Sequence, residues 1–96
     1  MSKKTRYLIT YDISEPKRLS KIHRFLKKHA IPIQYSVFYA KLSTEERKQL
    51  LEALDQKINP KEDDIRFYPL SPNAKAISYG TTFWVNEDYI HIESIE

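Results

Sequence analysis

The stretch Tyr7-Leu8-Ile9-Thr10-Tyr11-Asp12-Ile13-Ser14 decides the fold of this chain. Aromatic and β-branched side chains alternate along it, which predicts a β-strand. Both faces of that strand are apolar until Asp12, so we expect it to lie at the centre of a sheet. Asp12 stands where the strand meets a loop, a common position for functional groups on a rigid scaffold. The simpler interpretation is that Asp12 begins a turn or caps the next helix.

Turn and capping residues divide the rest of the chain into helices and strands. Ser14 is the expected N-cap of a first helix that runs to about Ala30, with Pro16 in its first turn. The motif Ser43-Thr44-Glu45-Glu46 is a capping box and opens a second helix that ends at Asn59-Pro60. The expected strands cover residues 6–13, 33–42, 65–70, 75–80 and 89–95.

This order of elements predicts an α+β protein, a ferredoxin-like two-layer sandwich in which two helices cover one face of an antiparallel sheet. A standard ferredoxin-like chain has a hairpin between its two helices, but residues 33–42 contain no turn residues, so a bend near Ser36 to Tyr39 would have to serve. We assign residues 1–80 to the core domain and residues 81–96 to a C-terminal tail. The strand in that tail either completes its own sheet or packs on a dimer partner.

Composition excludes several classes of protein. A chain of 96 residues forms one domain, small enough for homodimerisation to bury further surface. The absence of Cys excludes a disulfide framework and a thiolate zinc site and favours the cytoplasm. A single Gly excludes the phosphate-binding loops that need several glycines. No apolar run suits a signal peptide or a membrane span, so we expect no membrane contact.

The basic residues are concentrated in the first third of the chain. Residues 1–29 hold nine Lys or Arg and two acids, whereas residues 30–96 hold seven Lys or Arg and eleven acids. This asymmetry favours a polyanionic partner, nucleic acid first, although an ordinary solvated surface has the same pattern. The candidate nucleic-acid-binding residues lie on the first helix and are Lys17, Arg18, Lys21, Arg24 and Lys28.

Four segments together resemble a known family. The opening stretch is followed by the basic helix end Phe25-Leu26-Lys27-Lys28, then Ile33-Gln34-Tyr35-Ser36-Val37-Phe38, then Arg66-Phe67-Tyr68-Pro69-Leu70. In this order they resemble the CRISPR-associated Cas2 family, the small partner of the Cas1 integrase. The resemblance covers residues 6–80. The sequence departs from the family pattern at Pro32, where many relatives carry a basic residue.

The resemblance implies a ferredoxin-like homodimer that acts as a metal-dependent endonuclease on single-stranded RNA or double-stranded DNA during spacer acquisition. It implies that Asp12 of both protomers holds Mg²⁺, or Mn²⁺, across the dimer interface. Two facing carboxylates repel each other, which is a physical reason for them to take up a cation. The implied catalytic residues are Tyr11, Asp12, Arg18, Ser36 and Phe38.

Two other functions stay open. The protein is alternatively a non-catalytic DNA-binding scaffold that bridges integrase dimers, or a toxin-like ribonuclease of a related ferredoxin-like type. The acidic run Glu62-Asp63-Asp64 is expected to be a solvated turn. The histidines, His23 among them, lack metal-ligand spacing and are assigned to surfaces or edges.

Overall fold

A four-stranded antiparallel sheet with two helices packed on one face forms the body of the structure. The computed structural model describes residues 3–73, 75–79 and 91–95. The elements in chain order are β1 (Lys4–Asp12), α1 (Pro16–Lys27), β2 (Ile31–Gln34), β3 (Val37–Ser43), α2 (Thr44–Asp55), β4 (Asp64–Pro69), β5 (Lys75–Tyr79) and β6 (His91–Ile95).

The sheet has the strand order β2-β3-β1-β4, which is the ferredoxin-like order and confirms the predicted fold class. β1 is central, because it pairs with β3 on one side and with β4 on the other. The chain therefore builds its first strand into the middle of the sheet, as its two apolar faces predicted. Among the described residues, no helix is long and apolar enough to cross a membrane.

Alternation along β1 assigns its side chains to two faces. Tyr7, Ile9 and Tyr11 point toward the helices and are buried in the core. Ile22 and Leu26 of α1, with Leu50 and Leu54 of α2, complete that core from the helical layer. We call this helix-covered side the inner face of the sheet. The opposite side, which carries Leu8, Thr10 and Asp12, is the outer face.

The segment 33–42, predicted as a strand with a bend near Ser36 to Tyr39, is divided at that bend and belongs to a hairpin. β2 ends at Gln34, β3 begins at Val37, and Tyr35 and Ser36 form a two-residue turn between them. Ser36 has a φ of 65°, a conformation that usually selects Gly or Asn, so the sequence carries no turn signal here. The Ser36 carbonyl accepts a hydrogen bond of 3.2 Å from the Tyr11 backbone N–H, which anchors the turn to β1.

The two helices begin with different caps. Glu15, rather than the predicted Ser14, is the N-cap of α1, and its carboxylate accepts the backbone N–H groups of Lys17 and Arg18. α1 ends at Lys27, three residues before the predicted end. The predicted capping box of α2 is confirmed: the Ser43 hydroxyl accepts from the Glu46 N–H, and the Glu46 carboxylate accepts from the Ser43 N–H. Ser43 is also the last residue of β3, so no loop residue separates that strand from α2.

The last two strands form a sheet of their own. β6 pairs in parallel with β5 of the same chain, in the register Lys75↔His91 to Tyr79↔Ile95. Residues 81–90 of the predicted tail lie outside the described residues. The packing of this strand on a dimer partner, and the division of the chain at residue 80, stay predictions.

The carboxylate of Asp63 joins three segments near the end of β1. It accepts hydrogen bonds from the Ser14 N–H at 3.2 Å and from the Asn59 N–H at 2.8 Å. Arg18 donates to both of its oxygens, from Nε at 2.7 Å and from Nη2 at 3.1 Å. The Asp63 side chain is fully buried, which shows that the prediction of a solvated turn is wrong for this residue. We call this set of residues the Asp63 clamp.

The clamp changes the acid–base properties of both charged partners. The pKa of Asp63 lies far below its usual range, mainly because the Arg18 guanidinium donates hydrogen bonds to it. The backbone N–H groups of Asn59 and Ser14 lower this pKa further. Asp63 reciprocally raises the pKa of Arg18. Both groups therefore stay charged over the whole physiological range of pH.

Asp63→Asn is expected to lower the free energy of unfolding at neutral pH by about 2 kcal/mol, because it leaves Arg18 and backbone donors poorly satisfied. A carboxyl with a depressed folded-state pKa stabilises the fold fully above its unfolded-state pKa of about 3.9, and this contribution disappears as the pH falls toward the folded-state value. Urea unfolding between neutral and acidic pH should therefore give a steep loss of stability below about pH 4 for the wild type.

The Asn variant should lose much less stability over that acidic range, since it has no carboxyl to protonate. Glu52→Gln, at an exposed position of α2, is the matched control and should follow the wild-type pH curve. If the free energy of unfolding fell by the same amount with decreasing pH in the wild type and in Asp63→Asn, this role of the clamp would be contradicted.

Candidate functional site

Asp12 lies exposed at the end of β1, on the outer face of the sheet. Its direct cross-strand partner on β4 is Asp64, so two carboxylates of one chain stand side by side. Side chains that oppose each other in this way have Cβ atoms about 5 Å apart, and like charges in such a pair destabilise the sheet. The pairing therefore creates a local excess of negative charge at the place where β1 ends.

Arg66 partly compensates this negative charge. Its Nε donates to Asp64 at 2.8 Å, and Tyr68 and Asp64 together raise the pKa of Arg66. Both members of this ion pair are more than half exposed, so solvent screens their attraction. Arg66 is the cross-strand partner of Thr10 on β1. Thr10 lies two residues before Asp12 and therefore on the same face of the sheet. The outer face thus presents carboxylates and a guanidinium next to each other.

The donor set at this position suits magnesium better than zinc. No group of three or more His, Cys, Asp or Glu side chains converges within the described residues. Mg²⁺ prefers oxygen ligands and commonly takes only one or two carboxylates, with water in its other positions. Asp12 and Asp64 meet that requirement, and a second subunit with the same residues would add further carboxylates.

The other predicted catalytic residues do not gather around Asp12 within the chain. Tyr11 and Phe38 lie on the inner face, where both are buried and their rings are 6.0 Å apart. Ser36 lies in the hairpin turn beside Tyr11. Adjacent residues of a strand point to opposite faces, so Tyr11 and Asp12 project in opposite directions although they are neighbours in sequence. Their catalytic roles stay predictions, and within one chain Phe38 has a packing role.

Tyr11 forms a polar contact that the sequence did not indicate. Its hydroxyl shares a hydrogen bond of 2.9 Å with Nδ1 of His23 on α1. Burial raises the pKa of Tyr11, and the nearby Tyr35 acts in the same direction, so the hydroxyl keeps its proton at neutral pH. His23, which the sequence assigns to a surface or an edge, is half-buried, and its ring also lies 5.3 Å from that of Phe38.

Arg18 is engaged in the Asp63 clamp and also contacts Glu62 at 3.3 Å. Its side chain is 23% exposed, and its charge is balanced by these two acids. These contacts fix the start of α1, and the catalytic and phosphate-binding roles of Arg18 stay predictions.

Three basic residues of α1 and its C-cap residue Lys28 form an exposed row, as predicted. They lie on the side of the helix opposite the buried Ile22 and Leu26. Within the part of the chain that the structure describes, none of them forms an ion pair. We call this set the basic row; its members are Lys17, Lys21, Arg24 and Lys28.

A groove of about 730 Å³ extends the basic row toward the end of α2. Lys27 and Lys57 join the row there, and Lys57 Nζ lies 4.8 Å above the Phe25 ring. A concentration of unpaired cations along a groove attracts a polyanion, whatever its sequence. The groove lies on the helical side of the molecule, whereas Asp12 lies on the outer face of the sheet.

Sequence reasoning missed Asp63, Asp64, Arg66 and His23 as parts of these arrangements. Asp64 and Arg66 become neighbours of Asp12 through the register of β1 with β4, and a strand pattern does not specify register across a long connection. The one available signal was the acidic run at the start of β4, which indicates charge near a strand end but does not specify the residue that it meets.

Comparisons with known proteins agree with this fold and these segments. Residues 5–76 match the sequence profile of the family described as CRISPR associated protein Cas2. A CRISPR-associated endoribonuclease Cas2 of Thermodesulfovibrio yellowstonii is 43% identical over 68 residues, which are 71% of this chain and 75% of that protein.

Two solved structures are similar to the chain over most of their own length. The crystal structure of Streptococcus pyogenes Cas2 at pH 6.5 has a TM-score of 0.65 and 32% identity, and the match covers 71% of this chain and 88% of that one. A hypothetical protein of Thermus thermophilus has a TM-score of 0.75 and 25% identity, with coverages of 84% and 96%. The profile match, the sequence relatives and the shared fold show that this chain belongs to the CRISPR-associated Cas2 family.

Proposed function

We propose that the protein is a metal-dependent endoribonuclease of a CRISPR system, with Asp12 at its active centre. The observation that supports this most is the exposed pair Asp12–Asp64 at the end of the central strand, with Arg66 beside it. The relatives in the sequence comparison carry the name endoribonuclease, which favours RNA as the substrate.

Each residue has a specific task in this proposal. Asp12 and Asp64 would hold Mg²⁺, which when bound supplies an activated water and neutralises charge that develops on the phosphate. Arg66 holds Asp64 in place and presents a guanidinium to a phosphate oxygen. The Asp63 clamp fixes the chain directly after Asp12, which limits the movement of the carboxylate. A homodimer in which two copies of Asp12 meet would complete the site.

A second candidate function rests on a different observation, the basic row. Exposed cations that form no ion pair among the described residues suit a scaffold that holds DNA by its phosphates and bridges Cas1 integrase dimers. In this candidate, Asp12 and Asp64 have no catalytic task. The two functions make different predictions about cleavage and about salt dependence.

Asp12→Asn is expected to reduce Mg²⁺-dependent cleavage of single-stranded RNA by about a hundredfold or more, because it removes a ligand of the catalytic ion. Asp64→Asn should instead raise the Mg²⁺ concentration needed for half-maximal cleavage by about tenfold. Rates measured over a Mg²⁺ titration, with Asp55→Asn on α2 as the control, separate these two effects.

Cleavage that survives Asp12→Asn would refute the role of this residue. A wild-type protein that cuts neither RNA nor duplex DNA with Mg²⁺ or Mn²⁺ would leave the scaffold as the function.

The double variant Lys21→Gln/Lys28→Gln is expected to weaken DNA binding and to reduce the slope of log affinity against log salt by roughly two, one for each lost phosphate contact. The control is Lys48→Gln/Lys61→Gln, which removes two exposed lysines away from α1. Fluorescence anisotropy over a salt series measures the affinity and its salt slope for each double variant. Equal slopes for the two double variants would exclude the basic row as the DNA-binding surface.

A further inference from the structure

A depression of about 440 Å³ lies on the helical side of the molecule, between α1 and the hairpin turn. This volume is within the range of about 300–1,000 Å³ that is usual for small-molecule pockets. Its lining consists of Tyr11, Leu19, Ser20, His23, Arg24 and Tyr35. The depression is separate from the Asp12–Asp64 pair, which lies on the outer face of the sheet.

Tyr35 supplies a free aromatic surface at the rim of this depression. It is the first residue of the two-residue turn and is 82% exposed. The turn is anchored to β1 by the hydrogen bond that the Ser36 carbonyl accepts from the Tyr11 N–H. An aromatic ring on an anchored turn in solvent is a suitable surface on which a nucleobase can stack.

The other lining residues divide into an apolar floor and a polar edge. Leu19 and the ring of Tyr11 are apolar, and the hydrogen-bonded Tyr11 hydroxyl and His23 imidazole offer polar atoms beside them. Nucleobases that are unpaired are recognised by this combination of ring contact and edge hydrogen bonds. A base inside a duplex exposes neither its face nor its pairing edge to such a site.

Arg24 connects the depression to the basic row. It lines both this depression and a neighbouring one of about 400 Å³, which also contains Lys17 and Lys21. A strand with one base at Tyr35 would therefore have cations beside its adjoining phosphates. The base surface and the phosphate surface form one continuous area along α1.

We propose that this depression binds a single unpaired nucleotide of an RNA strand, with its base stacked on Tyr35 and its phosphate on Arg24. The inference rests on the proposed ribonuclease function and specifies how its substrate is selected. A chain with this site prefers single-stranded segments over continuous duplexes, because only an unpaired base enters the depression.

Binding experiments with a short single-stranded RNA that carries one 2-aminopurine test this site. They are done without divalent cations in an Asp12→Asn background, so that the result does not depend on cleavage. Tyr35→Ala is expected to weaken binding of the single strand about tenfold and to abolish quenching of 2-aminopurine fluorescence. It should leave binding of the same strand in a blunt duplex unchanged.

Two variants serve as controls. Tyr35→Phe keeps the ring and should retain both affinity and quenching, whereas Leu51→Ala removes another exposed apolar side chain, on α2, and should have no effect. Equal losses of affinity for the single strand and the duplex would show that Tyr35 does not select unpaired bases, which would overturn the proposal. Unchanged binding by Tyr35→Ala, or a loss with Tyr35→Phe as large as with Ala, would refute the stacking site.

Discussion

The geometry of the site depends on one buried carboxylate. Asp63 binds Ser14, which lies two residues after β1, the first turn of α1 and the connection that leads into β4. Arg18 adds a second contact between α1 and that connection, to Glu62 at 3.3 Å. Loss of this carboxylate would free the start of α1, and with it the basic row, from the connection before β4, whereas the β1–β4 register would still hold Asp12 beside Asp64. The buried charge therefore fixes the helix relative to the end of the central strand.

The central strand separates two kinds of chemistry because its side chains alternate. On the outer face, Asp12 stands among charged and exposed groups that suit a metal ion and a phosphate. On the inner face, Tyr11 contributes to the core and contacts His23 at the margin of a solvent-facing depression. A nucleic acid that uses both faces must pass around the end of β1 and the hairpin turn beside it. The Tyr-Asp dipeptide therefore forms part of two surfaces.

The sequence predicted those features that depend on local order. The apolar first strand, the capping box at Ser43 and the basic row on α1 are confirmed, because periodicity and capping chemistry act over a few residues. The hairpin was anticipated only as a bend near Ser36, because this residue takes a conformation that its residue type seldom selects. Asp63 and Asp64 were misjudged because burial and register arise only when distant segments meet. Long-range pairing of charges is the part of this site that a sequence pattern does not specify.

The junction at Ser43 also constrains how the chain can change its length. One residue ends β3 and caps α2, so the sheet and the helix are joined without a flexible segment. Inserting or deleting one residue there would rotate α2 by about 100° around its axis, since the helix has about 3.6 residues per turn. Leu50 and Leu54 would leave the core, and polar side chains would replace them. Variation in length is therefore confined to other connections, and the spacing between β3 and α2 is a fixed dimension of the fold.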